Sequence, residues 1–188
     1  MSSIWVVGEA LIDRIPSTDG DYLDHVGGGA ANTAKALSRL GLQTSFIGGI
    51  SSDIHGSAIE AELTQSGVDL SLSVRSELPT AMATATIDSN GFAHYTFELQ
   101  GTATFAFDAS WLPTSVPDVI HIGSLATILE PGASSLLEWI SGKKTPIVFD
   151  PNVRPSVQND KDLYRMSVDR WIDRATEPKA PVGRTEYL

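Results

Sequence analysis

The chain has 188 residues, with 13 Lys and Arg against 23 Asp and Glu, a formal net charge of −10 and no cysteine. Its hydrophobic fraction of 41% is near the globular norm, which excludes a disordered acidic tail. The negative charge argues against a nucleic-acid surface, because phosphate binding needs clustered Lys and Arg. The lack of cysteine excludes a disulfide scaffold and a cysteine-based zinc module.

Neither a membrane span nor a signal peptide is predicted. No apolar run approaches the ~18 residues that a membrane helix needs. Residues 1–3 lead directly into the apolar run at 4–7, without the basic segment of a signal peptide. We therefore expect a cytoplasmic protein that binds neither membranes nor nucleic acid.

The first 67 residues show strands and helices in alternation. An apolar run at 4–7, closed by Gly8, predicts a buried strand, and a turn cluster at 17–21 precedes a return strand at 22–26. Three glycines then open onto a helix over 30–40, whose apolar residues recur at helical spacing before Gly41. A buried strand over 44–50 and a helix over 57–65 follow.

The remaining residues add a hairpin and return to the same alternation. Runs at 80–88 and 92–99 flank Asn90-Gly91, a strong hairpin signal. Strands at 119–123 and 146–150 alternate with helices at 132–140 and 160–175. The order predicts an α/β fold in one domain over 1–175. The hairpins near 12–26 and 78–100 are expected to form a small separate sheet, and 176–188 an irregular tail.

The segment from Gly27 to Ala34 is the most informative for function. A glycine run before a helix lets backbone N–H groups approach a ligand, and Asn32 adds a donor and an acceptor. A flexible turn with an Asn in the first helical turn explains the same pattern. A dinucleotide fingerprint fits poorly, because Asn32 stands where its third glycine belongs, and no Walker-type loop occurs. The four histidines show no metal-like spacing.

Four motifs occur in an order typical of one enzyme family. They are Gly8-Glu9 with Asp13, then Gly27-Gly28-x-x-x-Asn32-x-Ala34 with Gly41, then the run from Ile47 to Asp53 with Gly56, and finally Asp150-Pro151-Asn152-Val153-Arg154. Together they resemble the ribokinase-like (PfkB) family of carbohydrate kinases, and the last motif resembles its fructokinase branch. The glycine signature departs from the family pattern at its final position, where this chain has Ser51.

The resemblance implies a three-layer αβα domain with a small β-sheet lid, and it implies substrate-binding residues. Asp13 and Asn32 are expected to bind sugar hydroxyls, and Gly27 and Gly28 to bring backbone amides to the sugar. Asn152 and Arg154 follow a strand's carboxyl end, where α/β folds bind ligands, and Arg154 is expected to meet phosphate charge. Phe97 and Phe105 are candidates for contact with a sugar face, with core or lid packing as the alternative. A homodimer through the lid is a further expectation.

The resemblance also implies parts that the 188 residues do not contain. Phosphoryl transfer in this family uses ATP, Mg²⁺ and an Asp in a Gly-Ala-Gly-Asp segment, which does not occur here. We therefore expect no catalytic residue in this chain, negligible turnover, and a kinase truncated or frame-shifted before its ATP-binding half. Two alternatives stay open: a non-catalytic sugar-binding or interaction module, and an unrelated nucleotide-binding α/β domain. Fructose is the expected sugar, with ribose, a nucleoside or an acid sugar as alternatives.

Overall fold

The computed structural model describes residues 2–88 and 90–178. The helices are α1 Gly29–Arg39, α2 Ile54–Gln65, α3 Gly132–Ser141 and α4 Lys161–Ile172, with short 3₁₀ helices at Ala103–Phe105 and Ser124–Thr127. The strands are β1 Ser3–Val7, β2 Leu11–Pro16, β3 Tyr22–Gly27, β4 Gln43–Ile47, β5 Gly49–Ser51, β6 Val74–Ser76, β7 Met82–Ile87, β8 Ala93–Glu98, β9 Val119–Gly123, β10 Ile147–Asp150 and β11 Glu177–Pro178.

A five-stranded parallel sheet forms the centre of the fold, in the order β11-β10-β9-β1-β4. Its strands are short apolar runs because both faces of the sheet are covered by helices. Alternate side chains enter two separate cores: Val6 packs with α1 and α2, whereas Val7 packs with α3 and α4. The predicted three-layer αβα architecture is therefore confirmed.

A second sheet of four strands, in the order β3-β2-β7-β8, joins the two predicted hairpins. β2 pairs antiparallel with β3 and parallel with β7, and β7 pairs antiparallel with β8. One face of this sheet buries small side chains of β7, while most of β3 and β8 is exposed. This sheet is the lid expected from the resemblance.

The single strand predicted over 44–50 is wrong, because the chain divides at Gly48. β4 joins the central sheet, whereas β5 pairs with β6, a strand that the sequence pattern did not predict. A Cβ at Gly48 would lie 2.8 Å from the carbonyl oxygen of Gly8, and one at Gly49 would collide with the carbonyl of Ala103. The two glycines thus allow close backbone contacts that redirect the chain.

Two helix boundaries and the last strand also differ from the predicted ones. α2 begins at Ile54 rather than at 57, because the Asp53 carboxylate accepts a hydrogen bond of 2.7 Å from the N–H of Gly56 and caps the helix. α4 ends at Ile172 rather than 175. Glu177–Pro178 pair with β10 inside the range predicted as an irregular tail, whose residues 179–188 lie outside the described part. Every helix in residues 2–88 and 90–178 is too short or too polar to cross a bilayer.

Candidate functional site

Asp13 lies in the middle of β2, where it pairs with His25 of β3 and Ala83 of β7. Its carboxyl group lies against the backbone of Gly27. A Cβ at Gly27 would collide with the carboxylate, and the carboxyl carbon would be only 2.7 Å away. Glycine at this position therefore makes room for the Asp13 side chain.

The charge environment of Asp13 is mixed. Burial raises the pKa of its half-buried carboxyl, and the electrostatic effects of His25, Arg154 and Lys35 counter that rise only in part. Lys35 pairs with Glu62, and the Arg154 guanidinium donates to backbone carbonyls, so neither side chain takes up the carboxylate. The carboxylate oxygens are thus available to accept hydrogen bonds from a ligand.

Asp13 and Arg154 line one hollow of about 380 Å³ between β2, β8 and the segment after β10, together with Ile15, Tyr95, Phe97 and Ser156. The rings of Tyr95 and Phe97 stack with centroids 6.3 Å apart. A second hollow of about 370 Å³ adjoins the same aromatic pair and Ser156. A carboxylate, a guanidinium and an aromatic face in one hollow suit a small ligand with both hydroxyl groups and apolar C–H surface.

The two phenylalanines have different environments. Phe97 lines this hollow, whereas Phe105 is 7% exposed and belongs to the hydrophobic core. Phe105 therefore follows the core-packing alternative.

The glycine turn and Asn32 do not line the hollow, although Gly27 contacts Asp13. Gly28 has φ of +104° and ψ of 136°, a conformation open to glycine, and a Cβ there would lie 2.5 Å from the Glu9 carbonyl oxygen. α1 starts at the next residue, and Asn32 is exposed on its first turn. The structure therefore brings Asp13 and Gly27 into contact, with Gly28 next along the chain and Asn32 one helical turn further on.

Asn152 and Arg154 follow β10, as the sequence indicated, but point to different surroundings. The Asn152 side chain donates a hydrogen bond of 3.0 Å to the Ser124 hydroxyl, so it faces inward and does not line the hollow. The Arg154 guanidinium donates to the backbone carbonyls of Asn152 and Val153 at 3.4 and 3.2 Å while it lines the hollow.

Two polar residues near the site were given no role from the sequence. Glu9 is 1% exposed, and its Oε1 accepts a hydrogen bond of 2.9 Å from the N–H of Gly29. Lys35 is 8% exposed and donates 2.6 Å to Oε1 of Glu62, which ties α1 to α2. An acid placed directly after a buried strand and a glycine was the signal available for Glu9. Lys35 offered none, because a Lys in an amphipathic helix is ordinarily on the solvent face.

Comparison with known proteins places this geometry in a family. Residues 1–176 match the pfkB family of carbohydrate kinases. A fructokinase of Salmonella typhimurium is 30% identical over 183 residues, which covers 95% of this chain and 60% of that protein. A fructokinase of Rhizobium leguminosarum bv. trifolii is 34% identical, covering 89% of this chain and 54% of that protein.

A solved structure has the same fold. The crystal structure of a Vibrio cholerae fructokinase in a form with bound fructose, ADP and calcium ion superposes with a TM-score of 0.83 at 27% identity. The match covers 95% of this chain and 59% of that one. The chain thus spans less than two thirds of the length of these relatives.

Proposed function

Because the chain belongs to the pfkB family of carbohydrate kinases, we propose that it forms the sugar-binding part of a kinase that transfers the ATP γ-phosphate to a hydroxyl of a fructose-like sugar. The observation that carries this proposal is the Asp13 carboxylate, seated against Gly27 in a hollow that it shares with Arg154 and two aromatic rings. The similarity to fructokinases over at least 89% of the chain supports fructose as the sugar.

In this proposal Asp13 accepts hydrogen bonds from two sugar hydroxyls, because a carboxylate is an acceptor with two oxygens. Gly27 and Gly28 present backbone to the sugar, and Asn32 reaches it from the first turn of α1. Arg154 balances the negative charge of the incoming phosphoryl group.

Two further groups have supporting parts in this proposal. Asn152, whose amide bonds Ser124, shapes the wall of the site rather than contacting the sugar. Tyr95 and Phe97 cover the apolar C–H face of the sugar from the lid and exclude water.

The proposed reaction uses ATP and Mg²⁺, and we assign no site for either to the described residues. Phosphoryl transfer depends on positioning and on stabilising phosphate charge, usually with Mg²⁺. Within residues 2–88 and 90–178, no group of three or more Asp, Glu or His side chains is placed to hold a metal ion. The part that we propose for the described residues is to bind and orient the acceptor sugar.

We also propose that two copies associate through the lid. Four large apolar side chains of the lid outside the sugar hollow are 48 to 68% exposed: Tyr22, Leu23, Ile87 and Phe92. Such a concentration on one small sheet is typical of a surface that is covered in an assembly. Light scattering on the purified chain should give twice the monomer mass, and Phe92→Ser should shift it towards the monomer. A strictly monomeric wild type would overturn this part.

The test of the sugar site is fructose binding by calorimetry. Asp13→Asn keeps the size of the side chain but removes its charge and one acceptor, so the Kd for fructose should rise roughly 10- to 150-fold, since a hydrogen bond to a charged group contributes ~1.5–3 kcal/mol. Asp21→Asn, an exposed Asp in the same lid hairpin, is the matched control and should leave the Kd unchanged. Equal affinity of the Asp13 variant, or no binding by the wild type, would overturn the proposal.

A coupled ADP assay separates the kinase from the non-catalytic sugar-binding module. The sequence analysis left that alternative open. Fructose binding without fructose-dependent ADP formation is the result expected of this chain by itself. Turnover strictly dependent on fructose would instead place a catalytic base within these 188 residues.

A further inference from the structure

Three neighbouring strands of the central sheet end in polar residues at one place. Glu9 follows β1, Ser124 follows β9 and Asn152 follows β10, and these strands are adjacent in the order β10-β9-β1. Because the carboxyl ends of parallel strands lie at the same edge of a sheet, the three side chains converge there. Their meeting point is the Cα of Gly29: a Cβ on it would lie 2.9 Å from Asn152 Nδ2, 3.1 Å from Glu9 Oε1 and 3.3 Å from Ser124 Cβ.

Hydrogen bonds connect this cluster to both edges of the candidate sugar site. Glu9 Oε1 accepts from the N–H of Gly29, and the Glu9 carbonyl accepts from the N–H of Ala31 at 3.2 Å. On the other side, Asn152 donates to the Ser124 hydroxyl. Glu9 therefore holds the start of α1 in place, and it does so beside the Ser124–Asn152 pair from which the chain leads to Arg154.

The backbone at this cluster is strained. Ser124 has φ of +59° and Asn152 has φ of +38°, and they are the only non-glycine residues with clearly positive φ among those described. Such conformations persist only where the surroundings impose them, and they gather at functional sites. Ser124 and Asn152 are hydrogen-bonded to each other and lie beside Glu9, so contacts with neighbouring strands help to maintain their backbone geometry.

Glu9 itself is buried beyond the reach of a ligand. It is 1% exposed. Burial raises the pKa of Glu9, and the Ser124 hydroxyl and the backbone of Glu9, Gly29 and Ala126 counter that rise only in part. Burying an acidic side chain without an ion pair costs folding free energy unless its oxygens accept hydrogen bonds, as Glu9 Oε1 does from Gly29.

We propose that Glu9 is a positioning residue, which fixes the Gly27–Gly29 turn against the Ser124–Asn152 pair and thereby sets the spacing between Asp13 and Arg154 across the sugar site. The inference rests on the proposed function for its effect on the sugar. The acceptor oxygen of Glu9 is the essential feature, and its negative charge is not.

Two substitutions of Glu9 in the full chain separate the acceptor from the charge. Glu9→Gln retains an oxygen that accepts from Gly29, so the Kd for fructose should stay within about twofold of the wild type. Glu9→Leu fills a similar volume but leaves the Gly29 N–H unpaired, and the Kd should rise about tenfold. Thr102→Val removes another buried hydrogen bond, that of 2.7 Å to the Leu99 carbonyl, and controls for loss of stability alone.

NMR spectra of the ligand-free chain provide a readout that does not depend on sugar binding. Glu9→Leu should speed hydrogen exchange of the Gly29 amide and shift the side-chain amide signals of Asn152, whereas Glu9→Gln and Thr102→Val should leave the Asn152 signals in place. Ser124→Ala, which removes the acceptor of Asn152, should reproduce the shift and the weaker binding even if Glu9→Leu does not fold.

The results distinguish a failure of the proposed function from a failure of the positioning role of Glu9. If the wild type does not bind fructose, the proposed function fails, and the NMR spectra alone decide the positioning role. If Glu9→Leu leaves the Gly29 and Asn152 signals unchanged, the positioning role is wrong. Loss of binding in Glu9→Gln as large as in Glu9→Leu would also overturn it, because the charge rather than the acceptor would then be required.

Discussion

Replacing Gly27 with alanine should weaken sugar binding while leaving the fold almost intact. The added Cβ would occupy the place of the Asp13 carboxylate, whose carboxyl carbon lies 2.7 Å from that point. Gly27 does not have a positive φ, so alanine fits its backbone. The conflict is therefore with the end of one movable side chain, and Asp13 resolves it by turning away from its position in the site.

The expected magnitudes follow from these contacts. An Ala in place of a Gly with a compatible backbone stabilises by about 0.4–1 kcal/mol through the unfolded state, which offsets much of the cost of moving Asp13. The free energy of unfolding should therefore change by less than about 1 kcal/mol. Loss of one hydrogen bond to the carboxylate, about 1.5–3 kcal/mol, raises the Kd for fructose roughly 10- to 150-fold.

Gly28→Ala and Gly142→Ala are the comparison variants for this prediction. Gly28 has φ of +104° and its Cβ would meet backbone atoms of Glu9 and Ala10, so its substitution should cost about 3 kcal/mol of stability. Gly142 has an ordinary helical backbone and open space around it, so its substitution should change neither the free energy of unfolding nor the Kd for fructose.

Urea unfolding and fructose calorimetry on the three variants and the wild type provide the measurements. The reasoning is refuted if Gly27→Ala unfolds as easily as Gly28→Ala, since the conflict would then involve the backbone. It is refuted equally if Gly27→Ala binds fructose with wild-type affinity.

Two further predictions concern stability. Burial acts to raise the pKa of Asp53, but hydrogen bonds from Thr80, Gly56 and Ser51 outweigh it and lower the pKa to about 2. The contribution of Asp53 to stability should therefore be complete above pH 4 and decline as the pH falls towards 2. The free energy of unfolding of Thr80→Val should depend less on pH in that range. Trp171→Phe keeps the ring stacking on Phe149 but loses the 2.9 Å hydrogen bond to the Thr127 carbonyl, and should cost about 2 kcal/mol in urea unfolding.

Each of these has a result that would contradict it. An unchanged pH dependence in Thr80→Val would mean that the hydroxyl does not hold the Asp53 carboxylate in its ionised form. For Trp171→Phe, a cost as small as that of Met166→Leu, an exposed position on the same helix, would show that the buried hydrogen bond contributes nothing.

The sequence predicts most of the strands and helices in their order, and it places Asp13 and the glycines, but it gives neither β6 nor the division of the strand over 44–50. These features depend on local properties: apolar runs of strand length, helical spacing, and glycine before a helix. The lid hairpin could be predicted for the same reason, since Asn-Gly between two runs of strand-forming residues is a local turn signal. Family resemblance added the expectation that these segments form one site.

How distant segments meet depends on contacts that form only in the folded chain. The strand over 44–50 divides because Gly48 and Gly49 lie against the backbone of Gly8 and Ala103, contacts that no local pattern contains. Asn152 bonds Ser124 rather than lining the hollow beside Asp13, because β9 and β10 end side by side in the central sheet. Glu9 acquires its place for the same reason: a buried carboxyl is stable only with partners, and its partners come from the start of α1 and the ends of neighbouring strands.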